Sequence, residues 1–159
     1  MSRPTTILCI DDNLLLLAMR KALLESSDFK VFTADSGPVG LDIANREAID
    51  VVILDYHMPG MDGGTVAKQL RRCCPKVAIL LSSAVEEIPE SVRMIMDGVV
   101  AKGTSSAVLV KEIERVTTAR SRLPEPISYI EVERKERPER SRRGSRSKSG
   151  RVRQQQRRR

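Results

Sequence analysis

Two kinds of segment alternate along the first 120 residues of the chain. Short apolar runs of strand length, rich in β-branched side chains, are separated by longer stretches with a helical pattern. The short runs lack the in/out alternation of a half-buried strand, which is typical of strands covered on both faces of a parallel sheet. They are Thr6–Ile10, Lys30–Thr33, Val51–Leu54, Val77–Leu81 and Val99–Ala101.

The longer stretches between these runs carry helix signals. Ser36 is a suitable N-cap, and Pro38 fits the first turn that follows it. In the first helix Leu14, Leu17 and Ala18 recur at turn spacing. Five strands alternating with five helices predict an α/β domain with a five-stranded, doubly wound parallel sheet. The predicted helices are Leu14–Glu25, Ser36–Glu47, Gly64–Arg72, Pro89–Met96 and Ser105–Arg120, and the run Met94–Met96 is expected to pack in the core.

Charge is distributed unevenly along the chain. Residues 1–123 hold 15 Lys/Arg against 16 Asp/Glu, whereas residues 124–159 hold 13 against 5, so the excess charge of +7 comes from the C-terminal end. From Arg134 onwards the chain is mostly Arg, Ser, Gly, Gln and Lys, which cannot bury enough apolar surface to offset the entropy of ordering. We expect residues 5–121 to form one domain and residues 122–159 to form a disordered basic tail.

Composition argues against several classes of protein. Aromatic residues make up 3% of the chain and Trp is absent, so a base-stacking nucleic-acid platform is not expected. Three cysteines without C-x-x-C spacing argue against a zinc site, a redox motif and a secreted disulfide scaffold. The chain starts without a signal peptide, and no apolar run approaches the ~20 residues of a membrane span. We expect a protein of the reducing cytoplasm, with Cys9 in the core and Cys73 and Cys74 at a helix end.

Acidic residues stand at the carboxyl ends of the first and third predicted strands, where doubly wound sheets bind their ligands. Asp11 and Asp12 follow one strand and Asp55 follows the other. Like charges at such range repel and raise one another's pKa unless a cation lies among them. Hard oxygen donors suit Mg²⁺, which commonly pairs with phosphate. The sequence therefore predicts an acidic Mg²⁺ site at this edge of the sheet.

A hydroxyl and an ammonium complete the predicted site. Ser83 follows the fourth strand and Lys102 follows the fifth. Phosphoryl transfer needs positive charge, a hydrogen-bond donor and an attacking group, and these residues with the carboxylates supply all three. Asp55 is the best nucleophile because it ends the central strand and leads directly into a loop.

Four segments together resemble the receiver domains of two-component response regulators. Val51–Gly63 matches their phosphoacceptor pattern, which is an apolar strand, Asp, two residues, Met-Pro, two residues and Asp-Gly. Leu8–Asn13, Leu80–Ala84 and Val100–Lys102 resemble their acidic-pair strand, their strand ending in Ser/Thr-Ala and their lysine strand. The resemblance covers roughly residues 5–120 and implies a flavodoxin-like receiver fold. Each motif is weak alone, but four in the right order on the right strand ends are specific.

The resemblance implies a role for each acidic residue. Asp55 would accept a phosphoryl group from a sensor histidine kinase, a phosphotransfer protein or a small acyl phosphate. Asp12 and Asp55 would bind Mg²⁺ directly and Asp11 would bind it through water. The backbone carbonyl of His57 would complete the protein ligands, while the side chain of His57 is expected near solvent.

The remaining implied roles fall on Ser83, which would donate to a phosphoryl oxygen, and Lys102, which would pair with the phosphoryl group.

Two positions near Lys102 depart from the family pattern. Gly103 follows Lys102 where receivers usually have Pro, and Val99 stands where an aromatic residue usually turns inwards on activation. Pro89 also confines the predicted fourth helix to about two turns. These departures leave the pocket chemistry intact, but the usual aromatic switch is absent.

These features indicate a stand-alone response regulator of a bacterial two-component phosphorelay, a signalling switch without an external substrate and therefore not an enzyme. Its downstream partner is not specified by the sequence. A magnesium-dependent aspartyl-phosphate phosphatase is disfavoured, because the haloacid dehalogenase type carries D-x-D and position 57 is His. Two further alternatives stay open. One is a regulator whose basic tail binds nucleic acid under receiver control, and the other is a degenerate receiver that acts without phosphorylation.

The basic segment Arg134–Arg159 allows a direct test of the nucleic-acid alternative. Its 13 basic residues would contact phosphates without base specificity, so binding should depend strongly on salt. If the tail binds nucleic acid, the full chain should bind duplex DNA of arbitrary sequence with an affinity that falls steeply between about 50 and 200 mM salt. Fluorescence anisotropy should show that truncation after Leu123 abolishes this binding. Equally weak binding by both chains would favour a solubilising tail with no dedicated partner.

Overall fold

The computed structural model of the protein describes residues 3–84 and 88–122. Within these residues strands and helices alternate along the chain, as the hydrophobic pattern predicts. The basic tail beyond Arg122 and its predicted disorder lie outside the described residues. No helix in the described part of the chain has the length and apolar content needed to cross a bilayer. The elements are β1 (Thr6–Ile10), α1 (Leu14–Glu25), β2 (Lys30–Ala34), α2 (Gly37–Arg46), β3 (Val51–Asp55), α3 (Gly63–Cys73), β4 (Ala78–Ser83), α4 (Glu90–Arg93), β5 (Gly98–Ala101) and α5 (Ser106–Ser121).

The five strands form one parallel sheet in the order β2-β1-β3-β4-β5. This confirms the predicted five-stranded doubly wound sheet. From β1 the chain first adds β2 on one side of the sheet. It then crosses to the other side of β1, where β3, β4 and β5 follow in order, so the winding direction reverses between β1 and β3. Open α/β sheets place their ligand crevice at this switch point, beyond the carboxyl ends of the strands. Asp11 and Asp55 lie at these two strand ends.

The central strands β1, β3 and β4 are buried along their whole lengths. Successive side chains of a strand point to opposite faces, so both faces of the sheet need cover. One face carries α2 and α3, whose apolar residues join Leu8 and Ile10 in one core. The other carries α1 and α5, which join Ile7 and Cys9 in a second core. Coverage on both faces explains why these runs show no alternation in the sequence.

The buried face of α1 differs from the face that the leucine spacing predicts. Leu17 and Arg20 are buried, whereas Leu14 is 67% exposed. Four consecutive leucines open the helix, so the sequence marks no single apolar side and packing against the sheet and α5 selects it. Asn13 begins the helix as N-cap, and its side chain accepts a hydrogen bond from the backbone N–H of Leu16 at 3.0 Å.

Helix α4 is shorter than the predicted Pro89–Met96, because it occupies a single turn after Pro89 as N-cap. Met94 is 78% exposed, so the prediction that it packs in the core is wrong. The two residues after it are partly buried against the core of the α2 and α3 face. Helix α4 ends early because the chain must already be extended beside β4 at Asp97, where the backbone N–H donates to the carbonyl of Ile79 at 2.8 Å.

Asp97 joins the start of β5 to three other elements. Its Oδ2 accepts hydrogen bonds from Arg71 Nη2 at 2.6 Å and from the backbone N–H of Ile79 at 2.7 Å. Its Oδ1 lies 3.3 Å from Nη1 of Arg120 on α5. Arg71 also donates to two backbone carbonyls, one before β5 and one before β4. This network fixes the β4–β5 edge at the end of the sheet opposite the acidic residues.

The substitution Asp97→Asn should lower the free energy of unfolding by about 2–3 kcal/mol, because two half-buried guanidinium groups lose their counter-charge. Urea unfolding followed by circular dichroism measures the change. The control Asp42→Asn removes an exposed carboxylate whose ion pair is with Arg46 one turn away, and should cost at most ~0.5 kcal/mol. Equal losses for the two variants would contradict the anchoring role of Asp97.

Candidate functional site

The sheet brings the predicted site residues to one edge. Asp55 is the last residue of β3 and Ser83 is the last residue of β4. Asp11 follows β1 directly, Asp12 comes next, and Lys102 follows β5. Parallel pairing in register makes the strands end at nearly the same level, so residues far apart in sequence become neighbours.

Three carboxylates form the centre of the site. One oxygen from each of Asp11, Asp12 and Asp55 lies within 4.8 Å of the others. Asp11 and Asp55 are buried, whereas Asp12 is exposed. Asp11 Oδ1 accepts a hydrogen bond from the backbone N–H of Asn13 at 2.9 Å. The Oδ2 atoms of Asp11 and Asp55 are buried and have no hydrogen-bond partner among the described residues.

Lys102 is the cation that faces these carboxylates. Its Nζ lies 3.0 Å from Oδ1 of Asp55 and 3.3 Å from Oδ2 of Asp11. The backbone N–H of Lys102 donates to the carbonyl of Ser83 at 3.1 Å, which anchors the lysine to the end of β4. Gly103 adopts φ of +89°, a value that proline cannot reach. The turn after Lys102 therefore differs in backbone conformation from one that contains proline at position 103. The Lys102 ammonium nevertheless contacts Asp11 and Asp55.

Burial and charge shift the pKa values of the two central groups. Burial raises the pKa of Asp55 above the ordinary carboxyl value, with the charge of Asp11 adding to this effect and Lys102 opposing it. Burial alone would lower the pKa of Lys102, but the hydrogen bonds and charges of Asp55 and Asp11 outweigh it and raise the pKa. Lys102 is therefore fully protonated at neutral pH, and it only partly offsets the charge of three carboxylates.

The loop between β3 and α3 turns sharply at the site. A Cβ on Gly63 would lie 2.3 Å from the backbone carbonyl oxygen of Asp55, so only glycine allows α3 to begin here. The backbone N–H of Gly63 donates to the carbonyl of Tyr56 at 2.9 Å and closes the loop. The His57 side chain is exposed, as predicted, and its ring meets the Tyr56 ring edge to face at 4.9 Å.

The hydroxyl-bearing end of β4 contains a contact that the sequence did not predict. Ser83 is buried at the predicted edge. The preceding Ser82 accepts a hydrogen bond at 3.0 Å from Nη2 of Arg20, a buried arginine on α1. The only sequence signal was an arginine within an apolar helix, which is also the pattern of an arginine whose end reaches solvent.

The donor set fits a hard divalent cation. Three carboxylates converge, and the buried Oδ2 of Asp55 has no hydrogen-bond partner in the described part of the chain. Lys102 brings a single positive charge to the cluster, and a further cation would offset the rest, because an unpaired buried charge is costly. Oxygen donors with one exposed member leave room for water, which is the coordination that Mg²⁺ prefers.

Residues 7–114 match the family model of the response regulator receiver domain. This chain belongs to the receiver domain family of response regulators. The match extends from β1 into α5 and includes all four motifs singled out in the sequence. Receiver domains are signalling modules of two-component systems, and the acidic edge described above lies within the matched residues.

Among similar proteins, the transcriptional regulatory protein GlrR of Escherichia coli K12 is 34% identical over 97 residues. These residues are 61% of this chain and 22% of GlrR. The sensor protein GacS of Pseudomonas syringae is 29% identical over 133 residues, which are 79% of this chain and 15% of GacS. This receiver domain therefore spans only a small part of each of these curated relatives.

Solved structures show the same fold. The response regulator TrrA of Thermotoga maritima, in complex with Mg²⁺ and BeF, superposes with a TM-score of 0.67 at 26% identity, over 70% of this chain and 98% of TrrA. A receiver domain from Clostridium thermocellum superposes with a TM-score of 0.68 at 26% identity, over 74% and 97%. The flavodoxin-like receiver fold inferred from the sequence is confirmed.

The raised pKa of Asp55 predicts how the free energy of unfolding changes with pH. The folded receiver domain binds the Asp55 proton more readily than the unfolded chain does, so stability falls as pH rises from the ordinary carboxyl pKa through the raised one. Asp55→Asn should therefore raise the free energy of unfolding by about 1 kcal/mol at neutral pH in EDTA, since Lys102 keeps Asp11 as a partner. Urea unfolding in EDTA at pH 7.5 and at pH 4 measures the gain.

At pH 4 the gain should shrink, because the raised pKa leaves more of the folded wild type with a protonated Asp55 there than at pH 7.5. Asp42→Asn, which removes an exposed carboxylate on α2, should change stability little at either pH. A loss of stability for Asp55→Asn at pH 7.5 would show that the bond with Lys102 outweighs burial.

Proposed function

We propose that Asp55 of this receiver domain accepts a phosphoryl group in a two-component phosphorelay, in a reaction that depends on Mg²⁺. The observation that carries the proposal is the buried Asp55 carboxylate, which is 3.0 Å from the ammonium of Lys102. Its second oxygen has no hydrogen-bond partner in the described part of the chain. A nucleophile with a free oxygen beside a fixed cation is what phosphoryl transfer requires.

The donor is a phosphohistidine of a sensor histidine kinase or of a phosphotransfer protein, or a small acyl phosphate. A carboxylate oxygen of Asp55 attacks phosphorus, and the bond from phosphorus to the donor nitrogen or oxygen breaks. The electron pair leaves with the imidazole or the carboxylate of the donor. Lys102 offsets charge on the phosphoryl oxygens, and the hydroxyl of Ser83 donates a hydrogen bond to one of them.

The carboxylates also hold the metal ion in this proposal. Asp12 and Asp55 would bind it directly, Asp11 would bind it through water, and the backbone carbonyl of His57 would supply a further ligand. When bound, Mg²⁺ supplies positive charge against the carboxylates and the transferring phosphoryl group. The complex of TrrA with Mg²⁺ and BeF supports this assignment for a receiver fold.

The readout of phosphorylation differs from an aromatic switch. Val99 occupies the β5 position at which receivers usually carry an aromatic side chain, and it is 46% exposed. A branched aliphatic side chain at this place cannot exchange between a solvent-exposed ring and a buried ring. We therefore propose that the signal passes through the end of β4, where Ser83 and Lys102 are joined by a backbone hydrogen bond.

Incubation with acetyl phosphate and Mg²⁺ should add a single phosphoryl group to the wild-type chain, as measured by intact mass. The addition should vanish in Asp55→Asn and in EDTA, because both the nucleophile and the metal are needed. Asp35→Asn is the matched control, since Asp35 is an exposed carboxylate directly after β2 at the same edge of the sheet. Asp35→Asn should be phosphorylated like the wild type.

Some receivers accept phosphoryl groups only from a protein donor, so beryllofluoride provides a second measurement. With Mg²⁺ it should shift the amide resonances of β4 and β5 residues in the wild type and not in Asp55→Asn. If the wild type shows neither a mass increment nor amide shifts, the proposal is wrong and the degenerate receiver becomes the better description.

A further inference from the structure

Two neighbouring thiols lie in contact where α3 ends. The Sγ atoms of Cys73 and Cys74 are 3.0 Å apart. Adjacent residues within a helix do not face each other, so two cysteines inside α3 would point apart. Cys73 is the last helical residue, and Cys74 leaves the helical conformation with φ of −134° and ψ of 61°. The end of the helix therefore brings together two thiols that a continued helix would separate.

The pair is held in place and is open to solvent. Cys73 is exposed, whereas Cys74 is partly exposed and packs against the core of the α2 and α3 face. The Cys74 thiol donates to the carbonyl of Ala44 on α2 at 3.5 Å, and its backbone N–H donates to the carbonyl of Leu70 at 2.8 Å. A reagent can thus approach from the side of Cys73 and meet a second thiol whose position the fold has fixed.

The surroundings do not complete a site for zinc. Zn²⁺ takes four ligands and binds thiolates rather than thiols. Within the described residues, the only group of three or more acidic, histidine or cysteine side chains close enough to hold a metal ion is Asp11, Asp12 and Asp55. Burial raises the pKa of the Cys74 thiol to about 12, and the hydrogen bond and charge of Cys73 add to this effect. Cys74 therefore stays a protonated thiol at neutral pH.

A disulfide between the two cysteines is disfavoured as well. The peptide bond that joins Cys73 to Cys74 is trans, so their Cα atoms are about 3.8 Å apart, which is below the ~4.4–6.8 Å that disulfides usually span. Disulfide formation also starts from a thiolate, which the high pKa of Cys74 opposes. The pair is better suited to a ligand that takes up protonated thiols.

We propose that Cys73 and Cys74 bind trivalent arsenic that carries one organic substituent, R–As(OH)₂. Each sulfur forms a bond to arsenic, each As–O bond breaks, and each hydroxyl leaves with a thiol proton as water. Arsenic stays trivalent, so the step needs no oxidant or reductant. With sulfur bonds near the ~2.3 Å of a zinc thiolate and an angle of about 90°, the bound sulfurs would be about 3.3 Å apart, close to the 3.0 Å observed.

The number of available thiols selects the kind of arsenical. Inorganic arsenite has three exchangeable hydroxyls and needs three thiols to replace them all. Cys9, the third cysteine of the chain, is fully buried in the core of the α1 and α5 face, whereas Cys74 packs against the opposite face of the sheet. Cys9 cannot join the pair, so a monosubstituted arsenical should bind more tightly than arsenite.

Phenylarsine oxide is the probe, because its hydrate carries two hydroxyls on arsenic. The full chain is first reduced with a phosphine and then titrated, and native mass spectrometry follows the bound fraction. The wild type should take up one phenylarsenic group with loss of two water molecules. Arsenite should bind at least tenfold more weakly.

Single substitutions provide the matched comparison. Cys73→Ser and Cys74→Ser each leave one thiol of the pair, and each should weaken binding of phenylarsine oxide at least tenfold. Cys9→Ala keeps both thiols of the pair and should bind like the wild type. If Cys74→Ser does not fold, Cys73→Ser decides the question, because position 73 is exposed.

The contribution of the fold is measured separately, because the two cysteines remain adjacent in the unfolded chain. Phenylarsine oxide should raise the thermal midpoint of the wild type, since a ligand stabilises the state that it binds more tightly, and should leave that of Cys73→Ser unchanged. An unchanged or lowered wild-type midpoint would overturn the proposal, as would the absence of an adduct, equal binding by Cys73→Ser, or arsenite binding as tight as that of phenylarsine oxide. None of these results depends on phosphorylation of Asp55.

Discussion

Asp11, Asp12 and Asp55 place like charges within 4.8 Å of one another at the edge of the sheet. Carboxylates at such range repel, and burial of two of them strengthens the repulsion because water screens it less. Lys102 opposes it with one positive charge that two carboxylates share. The cluster exists because the fold holds these strand ends together at a cost in electrostatic repulsion, and the proposed cation and phosphoryl group would both use this arrangement.

Contacts at both ends of the sheet hold the acidic strand ends together against this repulsion. The central strands β1, β3 and β4 are buried on both faces, so the strand ends cannot separate without exposing two cores. At the acidic edge, Gly63 lets the backbone of α3 approach the carbonyl of Asp55 more closely than any side chain would permit. At the opposite edge, Asp97 is held by Arg71 and Arg120 and fixes the strand that carries Lys102.

This receiver domain differs from the usual receiver sequence at the positions around Lys102. The exposed Val99 and the positive φ of Gly103 remove two features that usually surround the lysine. Arg20 on α1 donates a hydrogen bond to Ser82, the residue before Ser83 at the end of β4. The acidic edge therefore keeps the arrangement that the four motifs predict, while the departures lie in β5 and in the turn after it.

The sequence by itself determined the order of the elements, most of their bounds to within one or two residues, and the strand ends that carry Asp11, Asp55 and Lys102. These features are local, since hydrophobic period and turn residues mark each element, and parallel winding then places all carboxyl ends at one edge. Only the tertiary structure decided that α4 stops after one turn, that Met94 is exposed and that Arg20 is buried. Which side of a helix is buried depends on what packs against it, and those partners are distant in sequence. The physical reason is that burial is a property of contacts between elements, which no pattern within one element contains.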